Sequence, residues 1–222
     1  MQIHHDSRTL FLEGPAGRLE AILWTPTRAG VLTLAAVFCH PHPLFGGTLH
    51  NKVVYQAAKS LDALGVPVLR FNFRGAGLSA GEHDRGLGER EDVQAALDFL
   101  AKEFPGTPLL VGGFSFGSWV GLQVGCQDSR VLELIGLGIP VNSSDYGYLE
   151  TCLKPKLIVQ GTNDEHGAWE TLESLVARIP GDTRLSFVQG ADHFFTAHLD
   201  QLDDAITTWL TERHPKLHKL EQ

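Results

Sequence analysis

Residues Gly113-Phe114-Ser115-Phe116-Gly117 match G-x-S-x-G, the sharp turn that lifts a serine hydroxyl above a sheet between a strand and a helix. Glycines are needed there because side chains would collide across the turn. The flanks fit: Leu109, Leu110 and Val111 supply a buried strand before the turn, and residues 118–124 can form a helix after it. At the positive end of that helix, Ser115 would have the Phe116 N–H beside it, placed to stabilise an oxyanion. The competing reading is a packing turn whose serine only caps the helix.

A serine hydroxyl becomes a nucleophile only when a base takes its proton and a third group holds that base in the right tautomer. In sheets carrying this turn, the partners follow in the order serine, acid, histidine, at the carboxyl ends of later strands. The strand at 157–160 runs into Gly161-Thr162-Asn163-Asp164-Glu165, and the strand at 185–189 into Gly190-Ala191-Asp192-His193-Phe194-Phe195. Asp164 and His193 are therefore the expected acid and base. Glu165 and Asp145 compete with Asp164, and Asp192 reads as a local turn or cap residue. Of the other histidines, His4, His5, His214 and His218 lie near the termini, where solvated surface is the default.

Alternation of short apolar runs with helical periods between Val31 and Phe195 predicts an α/β chain with a mostly parallel, twisted sheet covered by helices on both faces. The expected strands span 32–38, 68–73, 109–114, 132–137, 157–160 and 185–189, most of them too apolar to have a wet face. Segments 9–12 and 18–24, joined through Gly14-Pro15-Ala16-Gly17, predict an antiparallel hairpin on the sheet edge. Val93, Ala96, Leu97 and Leu100 mark one helix, and Leu199, Leu202, Ile206, Trp209 and Leu210 another. Further helices are expected over 53–64, stopping at Gly65, and over 169–179, stopping at Pro180.

The 222 residues, 43% hydrophobic, suit a single domain over 1–222. A net charge of −8 disfavours nucleic acid or an anionic membrane surface as partner. The start, MQIHHDSRTL, lacks the features of a signal peptide, and no run of eighteen apolar residues follows, so a soluble, cytoplasmic protein is expected. Cys39, Cys126 and Cys152 are far apart in sequence and read as buried structural thiols.

Together, H-P-H-P-L-F-G-G-T, F-N-F-R-G-A-G-L-S, G-F-S-F-G and G-A-D-H-F-F, in this order along nearly the whole chain, resemble the α/β-hydrolase superfamily. The resemblance is specifically to small bacterial serine hydrolases. It implies Ser115 as nucleophile, His193 as base and Asp164 as acid, with backbone oxyanion donors at Leu44 and Phe116. Unlike larger relatives, the chain leaves little more than a loop between about 137 and 156, where a helical cap would be inserted. Phe45, Phe116, Trp119, Tyr146 and Phe194 are then the residues left to line an open pocket.

Pro41 and Pro43 have no N–H to give, so the second donor must be a neighbour. Aligning His42 to Gly46 with the H-G-x-x-G turn of this fold nominates Leu44, with His42 second. His40 and His42 lack a third metal ligand, and neither a metal nor a cofactor is expected. Arg74, in a glycine-rich loop that misses the G-x-G-x-x-G spacing, reads as a buried structural guanidinium. The expected activity is hydrolysis of small esters or thioesters through an acyl-enzyme, by a monomer or homodimer. A non-catalytic binding module and a cofactor-free perhydrolase or acyltransferase are the alternatives.

Overall fold

Successive side chains of a strand point to opposite faces, so runs that are apolar throughout need cover on both sides. The computed structural model describes residues 5–27 and 33–217, and in it these runs form one eight-stranded sheet. Along the chain the elements are β1 (His5–Gly14), β2 (Gly17–Pro26), β3 (Ala35–Cys39), α1 (Lys52–Ala63), β4 (Val68–Phe71), α2 (Leu87–Glu103), β5 (Leu109–Phe114) and α3 (Phe116–Gln127). They continue with β6 (Val131–Leu137), β7 (Lys156–Gly161), α4 (Trp169–Val176), β8 (Thr183–Val188) and α5 (Leu199–Arg213).

The strand order is β1-β2-β4-β3-β5-β6-β7-β8. The β1–β2 hairpin joins β4 antiparallel, and every other pairing is parallel. Ala35, Val37 and Cys39 of β3 enter the core beneath α2 and α3, while Ala36 and Phe38 enter the core beneath α1 and α5. Because β4 lies on one side of β3 and β5 on the other, the order reverses there. In open α/β sheets such a reversal leaves a crevice at the carboxyl ends of the strands, here β3 and β5, where ligands are held. No cap interrupts the fold; residues 138–155, between β6 and β7, carry only the short 3-10 turn Gly147–Thr151.

Several expectations change in detail. Edge strand β8 is half-buried rather than covered on both faces. Helix α4 ends at Val176, before Ile179. Arg178 and Ile179 make i→i−3 bonds to Leu175 and Val176, which tighten the chain ahead of Pro180. Two histidines expected at the solvated surface are partnered. His5 stacks on Trp24 at 4.3 Å and reaches Asp62 Oδ2 at 3.0 Å, and His214 lies 2.9 Å from buried Glu133, which also holds Arg213. The first contacts form because β1 pairs along β2, which brings His5 beside Trp24, and the second because the end of α5 reaches Glu133 of β6. His4, His218 and the predicted strand start at Leu32 lie outside the described residues.

Candidate active site

The strand-to-helix reversal after β5 has no room for side chains at its glycines. A Cβ on Gly117 would overlap the carbonyl oxygens of Cys39 and His40, and one on Gly113 would overlap the Gly117 carbonyl. Between them Ser115 adopts φ 54° and ψ −124°, a region that L-residues avoid. That conformation places Ser115 immediately before α3. The Phe116 N–H, in the first position of the helix, has no intrahelical acceptor.

The structure brings three of the expected residues into one line. His193 Nε2 lies 3.0 Å from Ser115 Oγ, and His193 Nδ1 lies 2.8 Å from Asp164 Oδ2. With Asp164 accepting from Nδ1–H, Nε2 is the free base facing the hydroxyl, the geometry in which an imidazole can take a proton from serine. Asp164 is itself fully engaged: Oδ2 also accepts from Gln160 Nε2 at 2.7 Å, and Oδ1 from the His166 N–H at 2.8 Å. The rival carboxylates are occupied elsewhere. Asp145 accepts from the Gly147 N–H, Asp192 caps Thr196, and the Glu165 side chain is exposed.

Two residues beside this line were not anticipated from the sequence. Gln160 is fully buried on β7; its Oε1 accepts from the Ile139 N–H while its amide fixes Asp164. The His166 ring meets the His193 ring edge to face at 4.5 Å. A polar residue inside an apolar strand, one turn ahead of Asp164, is the only hint that could have drawn attention to Gln160.

On the other side of Ser115, His40 is buried and uses both ring nitrogens. Nε2 accepts from the Phe73 N–H at 2.9 Å and Nδ1–H donates to the Pro41 carbonyl at 2.6 Å. Burial pulls its pKa down to about 4, so the ring is neutral. The role is structural, with the imidazole bracing the loop beneath the serine. His42 packs between Phe45, Phe116 and His83 at 4.7 to 4.8 Å. Its Nδ1 accepts from the Leu44 N–H at 3.3 Å, and burial followed by the neighbouring His83 lowers its pKa.

Of the expected pocket residues, Phe45 is 87% exposed and Phe194, edge-on to His193, is 44% exposed. Trp119 is partly buried against Phe116, its indole N–H donating to the Asp145 carbonyl. Tyr146 departs from expectation. It is buried, and its hydroxyl lies 2.7 Å from Ser118 Oγ because residues 145–148 are drawn down onto α3. Arg74 is the buried structural guanidinium expected, forked onto Asp92.

Among the described residues no helix is long and apolar enough to cross a membrane. A family model described as an alpha/beta hydrolase domain matches residues 37–209. The uncharacterized protein RP471 of Rickettsia prowazekii (strain Madrid E) is 35% identical over 218 residues, covering 94% of this chain and 91% of its own. Protein XC6422 of Xanthomonas campestris, described as an a/b serine hydrolase without lid, superposes with a TM-score of 0.87 at 31% identity, over 95% of this chain and 96% of its own. An alpha-beta serine hydrolase homologue from Coxiella burnetii gives 0.86 at 35% identity, over 95% of this chain and all (100%) of its own. With its mixed sheet, its uncapped crevice and its serine at the turn after β5, the chain belongs to the alpha/beta hydrolase family.

Proposed function

We propose that the protein is a serine-dependent ester hydrolase acting on small esters or thioesters, with Ser115 as nucleophile, His193 as general base and Asp164 as the group that orients it. The observation that carries this reading is the continuous hydrogen-bonded line from Asp164 through His193 to Ser115 Oγ. His193 takes the serine proton as Oγ attacks the acyl carbon, then returns it to the leaving alcohol or thiol. Water, deprotonated by the same imidazole, releases the acid. Asp164 stabilises the imidazolium at each stage.

The tetrahedral oxyanion needs two N–H donors. Phe116 supplies one at the start of α3. The sequence nominated Leu44 for the other, but its N–H is already turned toward His42 Nδ1, whereas the His42 N–H makes no hydrogen bond in the described structure. That difference favours His42, whose ring packs 4.8 Å from Phe116, as the second donor. Phe45 and Phe194 give the open crevice an apolar rim suited to an acyl or aryl group, a smaller set than the sequence offered.

Hydrolysis of p-nitrophenyl acetate and butyrate tests the proposal. Ser115→Ala should lower turnover by up to about a millionfold while leaving the fold intact. Stoichiometric labelling of the wild type by a fluorophosphonate is expected. A correctly folded Ser115→Ala protein that kept more than about a tenth of the activity would exclude the assignment, given that magnitude. An unlabelled, inactive wild type would favour a binding module instead. Peroxide or an added alcohol as acceptor separates a perhydrolase or acyltransferase from a hydrolase.

A further inference from the structure

Far along α3 from Ser115, the fold brings together two cysteines that the sequence holds apart. Cys126 is in the last turn of α3, and Cys152 follows the 3-10 turn that packs against that helix. Cys126 packs against the core cluster that holds Cys152, and each thiol shifts the other. Two ammonium groups close around the pair. Lys154 Nζ donates to the carbonyls of Gly125 and Asp128, on either side of Cys126, and Lys156 Nζ donates to the Cys152 carbonyl at 2.8 Å.

Lys156 is 1% exposed, and among the described residues neither lysine contacts a carboxylate. The nearby acids are engaged elsewhere, Asp128 with Arg130 and Asp182 with Arg213. A buried ammonium without an anion is costly, and a thiolate at Cys152 supplies the missing negative charge. The electrostatics run the same way. The Cys126 thiol draws Cys152 below the usual thiol range against the opposing effect of burial, helped by the Lys154 N–H and the two ammonium groups. Cys126 keeps the proton and is pushed up.

We propose that Cys126 and Cys152 form a redox-active dithiol that reacts with hydroperoxides and closes to a disulfide. The Cys152 thiolate attacks one oxygen of hydrogen peroxide; the O–O bond breaks, and the departing hydroxide takes a proton to become water. Cys126 then attacks the Cys152 sulfenic sulfur and gives up its proton, and the S–O bond breaks to release a second water. Two thiols lose two electrons and two protons, and one peroxide becomes two waters. Cys126, only partly buried, is the solvent-facing member of the pair, and Cys152 behind it is 4% exposed. Cys39 is fully buried, which pushes its thiol up and keeps it protonated, so it serves as an internal control.

The test is independent of esterase activity. The full-length protein is treated with a small molar excess of hydrogen peroxide, blocked with iodoacetamide under denaturing conditions and digested with trypsin without reduction. The expected result is an intact mass, taken before blocking, lower by two hydrogens, then a covalent link between the Cys126 and Cys152 peptides, with Cys39 alkylated. In Cys126→Ser, dimedone should trap a sulfenic acid on Cys152. Cys126 and Cys152 recovered separately alkylated from the treated wild type, or all three thiols oxidised at one rate, would overturn the proposal.

Discussion

Ser115 is held where an L-residue is strained, at φ 54°, and the strain can be measured apart from the chemistry. Removing the Cβ relieves a conformation that costs on the order of 1–3 kcal/mol, partly offset by the roughly 0.5–1 kcal/mol of extra chain entropy that glycine loses on folding. Ser115→Ala keeps the Cβ and the strain. Both variants should be inactive, but Ser115→Gly should exceed Ser115→Ala by about 1 kcal/mol in urea denaturation. Equal stabilities would mean that the turn, rather than the residue, absorbs the strain. The elbow was legible in the sequence because its requirement for glycines is local. The Leu44 assignment rested on spacing alone, and spacing does not reveal that His42 folds back to accept the Leu44 N–H.

At the scale of elements, α2 is fixed to the loop after β4 by Arg74, whose guanidinium forks onto Asp92 and also reaches Glu91. Gly88, in the first turn of α2, gives that guanidinium its place, since a Cβ there would overlap Nη1. Two effects compete in Gly88→Ala. Helix propensity favours alanine by at most about 1 kcal/mol, while displacing a buried, paired guanidinium costs roughly 3–5 kcal/mol. The second should win, with a net loss of about 2 kcal/mol or more in urea denaturation. In an Arg74→Met background the same glycine substitution should cost little; a penalty that persisted would place the clash elsewhere. The helix itself was readable from Val93, Ala96, Leu97 and Leu100, but its anchor spans 18 positions and left no periodic trace.

For the whole molecule, two consequences follow from what is buried and what is open. In the unfolded chain His40 takes a proton near pH 6.5, whereas the buried ring resists until about 4. Between those values the unfolded state binds the extra proton, so this contribution is complete above about pH 6.5 and is lost as the pH falls through 4, about 3 kcal/mol in all. Buried Asp92 and Asp62, both raised, act in the opposite direction, so the comparison must be with a variant. Between pH 7 and 4.5, His40→Gln should lose about 2 kcal/mol less than the wild type in urea denaturation, and parallel losses would exclude His40 as the acid-sensitive group. The second consequence concerns the surface. Residues 145–148 are tied to α3 by Tyr146 and Tyr148 rather than arched over the crevice, so no lid has to open. Hydrolysis rates should saturate smoothly with ester concentration, with no jump on crossing the solubility limit.

The sequence by itself determined the features whose physical cause is local. Apolar strands required a sheet covered on both faces, the glycines around Ser115 required a sharp turn, and Asp164 and His193 stood at strand ends in the necessary order. The tertiary structure decided whatever depends on residues distant in the chain. It selected Asp164 over Glu165 and Asp145 as the carboxylate that reaches His193, added Gln160 behind it, and left the His42 N–H rather than that of Leu44 without a partner. It also turned Tyr146 inward and set Cys126 against Cys152. Periodicity and turn chemistry act over a few residues, whereas the direction of a side chain after a loop is fixed only when the elements carrying it pack.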